Sequence, residues 1–342
     1  MSPPGRPKGE YRSAQREGTL MSRTEPTAPR EPRFIQLHQA SDESLRAELG
    51  AGLAARPPHC SPKFLYDALG SRLFEAITEL PEYYPTRTEA LIFERHAAEM
   101  AVAVGHGATL IDLGAGNCAK AAGLFDALRP ARYVAVDISV DFLRHSLTAL
   151  QRRFPGMEML GIGLDFSQSM ALPREALAGR PVFFYPGSSI GNFAPDEALA
   201  FLRSLRAAGT GLLIGVDLVK PASILEPAYD DALGVTASFN LNLLLHLNRL
   251  IGSDFALRQW KHVALFDSAL SRIEMHLEAR EPLTVRWPGA ERRFAAGERL
   301  HTENSYKYTP DAFATLLAEA GFGEQRRWLD PKGWFAVVWA GQ

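Results

Sequence analysis

Between Thr109 and Leu218, short apolar runs recur at intervals: TLIDLG, RYVAVD, MLGIGLDF, PVFFYPG and GLLIGVDLV. Short β-rich runs alternating with helical segments are the pattern of a parallel sheet buried on both faces. The intervening segments agree. In DFLRHSLTALQRRF, Phe142, Leu143, Leu147 and Leu150 return at helical spacing, and Ser139 stands where an N-cap belongs. These alternations predict a doubly wound α/β domain.

After Lys220-Pro221 the period changes. The stretch YDDALGVTASFNLNLLLHLNRLIG predicts one long amphipathic helix, with Val235, Phe239, Leu243, Leu247 and Leu250 on one stripe and Gly252 near its end. RIEMHLEA then alternates, turning Ile273, Met275 and Leu277 to one face, and LTVRW and RRFAAGERL continue in antiparallel style. With the segment before Leu91, this predicts a second, smaller α+β lobe. The chain then returns to the first domain. Thr309 caps a helix, Pro310 takes its first position, and Gly321 closes it. The ending RRWLDPKGWFAVVWA makes two strands around Asp330-Pro331-Lys332-Gly333, a hairpin added to the sheet. Class I methyltransferases have such a hairpin and dinucleotide dehydrogenases lack it, an analogy of fold alone. The expected division is a disordered tail (1–33), a discontinuous substrate lobe (34–90 and 222–305) and a cofactor domain (91–221 and 306–342).

Composition narrows the class. Of 342 residues, 46% are hydrophobic and 22% charged, with a formal net charge of -2, so a soluble globular chain is expected and nucleic-acid binding is not. Cys60 and Cys118 lack the spacing of a disulfide or zinc framework, and a reducing, cytoplasmic location fits them. His246, His262, His276 and His301 lack ligand spacing and read as surface or satisfied core histidines. The first 33 residues are rich in Pro, Arg, Glu, Ser and Thr without an apolar signal segment, and Met21 offers an alternative start. No apolar run long enough to span a membrane is expected.

The chemistry begins at TLIDLGAGNCAKAAGLF, a strand, a glycine turn and a helix. Gly114 and Gly116 let the backbone turn tightly and approach a ligand. With Ala119 they also satisfy the looser dinucleotide fingerprint, so an NAD-dependent oxidoreductase stays open on this turn alone. Asp112, two residues ahead, suits the ammonium of the methionine part of S-adenosylmethionine (SAM), and Asp137, ending the next strand, suits ribose hydroxyls. Asp165, at the third strand end beside Phe166, suits an adenine amino group and ring face. Lys120 suits the cofactor carboxylate. Each acid alone could simply cap a helix. Three successive strand ends repeating the arrangement favour a cofactor.

PVFFYPGSSIGNF places Gly187, Ser188, Ser189 and Asn192 at a further strand end, where open α/β sheets bind ligands, with Gly187 on the cofactor side. The stretches YDALGSRLFEAITELPEYYPTRTE, DLGAGNCAK, VAVD, DF at Asp165, GSSIGN, DLVK, YDDALGVTASFN and RIEM run in order from Lys63 to Lys307. In them the chain resembles the SAM-dependent histidine Nα-methyltransferases of ergothioneine biosynthesis, which convert L-histidine to hercynine. Leu164 stands where that family is expected to carry glycine, and Cys118 where generic methyltransferases carry a third glycine.

The resemblance implies a class I SAM-dependent fold with a second lobe, SAM as methyl donor and L-histidine as substrate. It implies that Asn192 and Tyr229 hold the substrate carboxylate, that Tyr66 lies near the amino group as the catalytic tyrosine, and that Tyr83, Glu303 and Ser305 surround the imidazole. Gly114, Lys120, Asp137, Asp165 and Phe166 would serve the cofactor. Methylation of another amino acid on the same fold is the near alternative. Without the resemblance, Tyr83 and Tyr84 read as rim residues and Met275 as core. In LHTENSYKYTPDAF, Glu303 and Ser305 share one side of an extended segment and Asn304 faces the other.

Overall fold

The computed structural model describes residues 1, 2, 5, 30–37, 41–138, 140–167 and 169–342. Most of the expected tail, Met21 and the expected N-cap Ser139 lie outside the described residues.

Strands β1 (Arg33–Gln36), β2 (Thr109–Leu113), β3 (Arg132–Asp137), β4 (Glu158–Gly163), β5 (Pro181–Tyr185) and β6 (Gly211–Asp217) run parallel. They stand in the order β1-β4-β3-β2-β5-β6, and two later strands complete the sheet antiparallel. The strands β2, β5 and β6 are buried along their whole length, as their continuous apolar runs require. Alternate residues feed two cores. Leu110 and Phe184 face one, beneath helices α3 (Tyr84–Val104), α4 (Ala119–Leu128) and α5 (Val140–Arg153). Ile111 and Phe183 face the other, beneath α6 (Pro195–Ala208) and α9 (Pro310–Glu319). The strand order reverses between β2 and β5, which fixes a ligand crevice at their carboxyl ends.

β1 corrects the expected boundaries, which divide it between tail and second lobe. Its Phe34 lies opposite Gly161 of β4, where an added Cβ would come within 2.6 Å of the Phe34 ring. A glycine in the neighbouring strand admits this aromatic ring, so four residues suffice to extend the sheet.

The second lobe holds β7 (Trp260–Asp267), β8 (Arg272–Ala279) and β11 (Arg299–Tyr306) in an antiparallel sheet ordered β11-β8-β7, with the hairpin β9 (Leu283–Trp287) and β10 (Ala290–Phe294) beside it. After the short α7 (Ala222–Leu225), helix α8 (Val235–Ile251) packs on this sheet through buried Phe239, Leu243 and Leu247, and α1 (Asp42–Ala54) and α2 (Ala68–Thr78) pack against α8. Ile273, Met275 and Leu277 are buried as their alternation requires. RRFAAGERL is not one strand: it breaks at a turn where Gly297 takes φ 81°, between β10 and β11.

The long helix starts later than the stretch from Tyr229 suggests, at Val235, the first residue of the apolar stripe. Gly234 sits in the left-handed region, and the Asp231 carboxylate accepts from the backbone N–H of Val235 and Thr236. Residues 229–234 are therefore a turn, with Tyr229 ahead of the helix. At the other end of the chain, β12 (Gln325–Leu329) and β13 (Phe335–Gly341) form the expected hairpin, with Asp330 accepting from the N–H groups of Lys332, Trp334 and Phe335. The Thr309 cap of α9 is in place, its hydroxyl accepting from Ala312 N–H at 3.1 Å.

Candidate active site

The turn after β2 is built on positive φ: Gly114 at 70°, Gly116 at 53° and Cys118 at 60°. Gly116 N–H donates to Asp137 Oδ2 at 2.9 Å, fastening the turn to the end of β3. A Cβ on Gly114 would project to 3.8 Å from the Phe166 ring, so the glycine keeps the space between turn and ring open. Asp165 accepts at Oδ1 from Ser167 N–H and at Oδ2 from Lys63 Nζ, 3.1 Å away. Lys63 also holds Glu48, so Asp165 is tied to the second lobe.

Asp112 is 2% exposed and accepts from Tyr133 OH at 2.7 Å, while its Oδ1 lacks a hydrogen-bond partner. Burial pushes its carboxyl up to about 7, against the opposing pull of Tyr133 and Lys120. Lys120 pairs with Glu89 Oε2 at 2.6 Å, and Glu89 Oε1 accepts from Gly187 N–H at 2.7 Å. Glu89 is fully buried on α3 and so joins the glycine turn to the next strand end. An unpartnered carboxylate oxygen for an ammonium, a glycine cradle and a lysine for a carboxylate match the chemical groups of SAM.

Beside Gly187 lies a cavity lined by Tyr66, Asn192, Tyr229, Glu303 and Ser305, with Phe74 and Asp217. Tyr66 follows the 3-10 turn Pro62–Leu65, directly before the Asp67 cap of α2, and its ring meets Phe74 and Phe239 edge-on. The Asp67 carboxylate also accepts from Asn242 of α8 at 2.7 Å, which locks this corner. Asn192 ends the 3-10 turn Ser189–Asn192, which packs on β11. There Gly191 permits the approach: an added Cβ would lie 2.8 Å from Tyr306 O. Tyr83 does not line the cavity. It stands one layer behind, ring to ring with Phe74 and Tyr229.

Glu303 and Ser305 alternate into the cavity from β11, and Asn304 turns away to His301, 2.9 Å from its ring nitrogen. No protein group among the described residues hydrogen-bonds the Glu303 carboxyl, and burial raises it to about 7 against the pull of Lys307. Burial likewise raises the phenols of Tyr66, Tyr83 and Tyr229 well above their ordinary value.

Beneath the cavity floor lies a buried ionic network. Lys307 Nζ donates to Asp217 Oδ2 at 2.8 Å, to Tyr229 OH at 2.8 Å and to Ser305 Oγ at 2.7 Å. Asp217 also accepts from Tyr84 OH and Lys220, and its own N–H donates to Ser188 Oγ. Burial alone would raise the Asp217 carboxyl, but Lys307 and Lys220 outweigh it and hold it below the usual carboxylate range. Lys220 goes the other way, lowered to about 8 by burial despite Asp217.

A family model described as "Histidine-specific methyltransferase, SAM-dependent" matches residues 45–342. The chain belongs to this family. Its similarity extends to the histidine N-alpha-methyltransferase of Mycolicibacterium smegmatis, 42% identical over 305 residues, covering 86% of this chain and 94% of the relative. The protein of the same name from Mycobacterium tuberculosis is 41% identical over 304 residues, with the same coverage of 86% and 94%. Ergothioneine biosynthesis protein 1 of Neurospora crassa is 30% identical over 277 residues, 77% of this chain and 31% of that protein.

Membership decides between the two cofactors that the glycine turn leaves open: the enzyme depends on SAM rather than on a nicotinamide dinucleotide. In this histidine-specific methyltransferase, the structure adds residues that sequence reasoning missed. Glu89, Lys63, Asp217, Lys220 and Lys307 are buried or half-buried charges that tie site elements together. The available signal was a charge beside apolar residues, as in DLVK and in the α3 run TRTEALIF. Among the described residues no helix is long and apolar enough to cross a membrane, and no cluster of metal-ligating side chains occurs.

Proposed function

We propose that this methyltransferase transfers three methyl groups to the α-amino nitrogen of L-histidine, giving hercynine for ergothioneine biosynthesis. The observation that carries this reading is the convergence of Tyr66, Asn192, Tyr229, Glu303 and Ser305 on one cavity beside Gly187. Asp112, Gly114, Gly116, Lys120, Asp137, Asp165, Phe166 and Gly187 would hold SAM, which when bound supplies an electrophilic methyl group on a positively charged sulfur.

The protein must then hold an amine with a free lone pair, since an ammonium cannot accept a methyl group. Positioning within roughly 3 to 3.5 Å supplies much of the acceleration. Tyr66 stays protonated at neutral pH, because burial lifts its phenol far above that range. It therefore accepts an N–H or donates to the nitrogen and orients the amine, without working as a phenolate base. Asn192 and Tyr229 donate to the substrate carboxylate. Glu303 and Ser305 meet the two imidazole nitrogens, and Tyr83 supports Tyr229 and Phe74 from behind. The reaction ends by chemistry, since a quaternary ammonium has no lone pair left.

Incubating the enzyme with SAM and single amino acids, followed by mass spectrometry, tests the reading. Histidine should gain successive methyl groups up to three. The assignment is lost if histidine gains none while another amino acid does.

A further inference from the structure

Tyr229 OH and Ser305 Oγ lie 2.8 Å apart, and both accept from the same ammonium, Lys307 Nζ, at 2.8 and 2.7 Å. The third N–H of Lys307 is spent on Asp217. Two hydroxyl protons are therefore available, and the contact between the hydroxyls needs one of them. Only one proton is left to point into the cavity. If Tyr229 donates to a ligand, Ser305 must donate to Tyr229 and face the ligand as an acceptor. If Ser305 donates to a ligand, Tyr229 faces it as an acceptor. The separation of 2.8 Å is itself that of a hydrogen bond, so the two hydroxyls share a proton between them while both accept from one buried ammonium.

We propose that Lys307 is a positioning residue that sets opposite hydrogen-bond polarity on Tyr229 and Ser305, so that a substrate whose carboxylate takes the Tyr229 proton must present an N–H to Ser305. The inference rests on the assignment of carboxylate and imidazole given above. Its consequence is a proton count. With one imidazole N–H on Ser305, the other nitrogen faces Glu303. Either that nitrogen is also an N–H against an ionised Glu303, or it accepts from a protonated Glu303. Both descriptions hold one proton more than a neutral imidazole beside an ionised Glu303, and that proton comes from solvent on binding.

The groups facing Glu303 are compatible with this count. Lys307, just past the end of its strand, favours the ionised carboxyl, while Tyr66, Tyr83 and Tyr229 approach from the other elements as neutral phenols. Asp217, behind Lys307, is shared with Lys220.

Titration calorimetry decides the matter. Hercynine is the ligand, with S-adenosylhomocysteine present, because its quaternary nitrogen cannot titrate and mask the signal. At about pH 8.5 the free imidazole is neutral, so heats in buffers of different ionisation enthalpy report protons taken up by the imidazole–Glu303 pair. More than about half a proton, and at most the one of this count, should be taken up per hercynine bound, whichever partner carries it. In Ser305→Ala, which leaves the Lys307 charge in place, uptake should fall to less than half the wild-type value. A folded Lys307→Met should show the same fall. Binding without proton uptake in the wild type overturns the inference and leaves the substrate assignment standing, as does undiminished uptake in Ser305→Ala. Absence of hercynine binding overturns both.

Discussion

Lys307 and Asp217 form an ion pair at 2.8 Å with side chains 0% and 1% exposed. Lys307 directly follows the second lobe's strand β11 and Asp217 ends β6 of the main sheet, so the pair fastens the two parts directly under the cavity. Removing one partner leaves an uncompensated buried charge. Asp217→Ala should therefore lower the unfolding free energy by about 3–5 kcal/mol, read as a shift of the urea midpoint. A loss below about 1 kcal/mol, the range of an exposed pair, would contradict this account.

Glu303 and Asp112 give stability a pH dependence opposite to that of Asp217. Both are raised to about 7, chiefly by burial. The folded protein thus binds more protons than the unfolded chain between the ordinary carboxylate range and about pH 7, and stability falls as pH rises through that window. Asp217, held low, contributes stability above the ordinary carboxylate value that is lost only as pH falls through its lowered one. Burial lowers His262, His276 and His301, which act the other way in the same window, so the effect is read by difference: the unfolding midpoint of the ligand-free wild type relative to Glu303→Gln should be higher at about pH 5 than at about pH 7.5. A Glu303→Gln profile as steep as the wild type would remove Glu303 from the explanation.

Glu303→Ala leaves a polar substrate edge without its partner while touching none of the proposed cofactor residues. The expected loss is about 10- to 100-fold in kcat/KM for histidine. SAM binding, measured by calorimetry, should stay within about twofold, the spread of a remote site. Unchanged histidine kinetics would place the imidazole elsewhere.

Gly191 lets the Ser189–Asn192 turn lie against β11. A Cβ there would come 2.8 Å from Tyr306 O and 3.5 Å from Ser305 Oγ, and backbone cannot yield as a flexible side chain can. Gly191→Ala should therefore raise KM for histidine at least about tenfold, through displacement of Asn192 relative to Ser305, and spare SAM affinity. Equal losses for both ligands would mean that the turn supports the whole crevice.

Much of this arrangement was legible because it follows local periods. The two-residue alternation of β11 separates Glu303 and Ser305 from Asn304, and the Thr309-Pro310 cap marks where the chain rejoins the sheet. What escaped depends on partners distant in sequence. Nothing near Glu89 announces that its carboxylate will accept from Gly187 N–H, and nothing near Lys307 announces Asp217. The late start of α8 is a different case. The apolar stripe begins only at Val235, and the helix begins there too, because Gly234 and the Asp231 carboxylate cap it and leave the residues after Tyr229 in a turn. That turn leaves Tyr229 ahead of the helix, where it reaches Ser305. β1 was missed since four residues carry too little pattern, and its pairing depends on a glycine in another strand.

The short path from Ser305 to Tyr308 limits how this enzyme can be re-engineered or can have diverged by recombination. Within four residues the chain lines the pocket, anchors on Asp217 through Lys307, and bridges to Leu218 through Tyr308. A crossover placed at the apparent lobe boundary would therefore pair a pocket from one parent with an anchor from another. Exchange of substrate preference between relatives should be viable only when β11, Lys307 and the segment from Asp217 to Lys220 travel together, which makes the unit of inheritance a seam rather than a module.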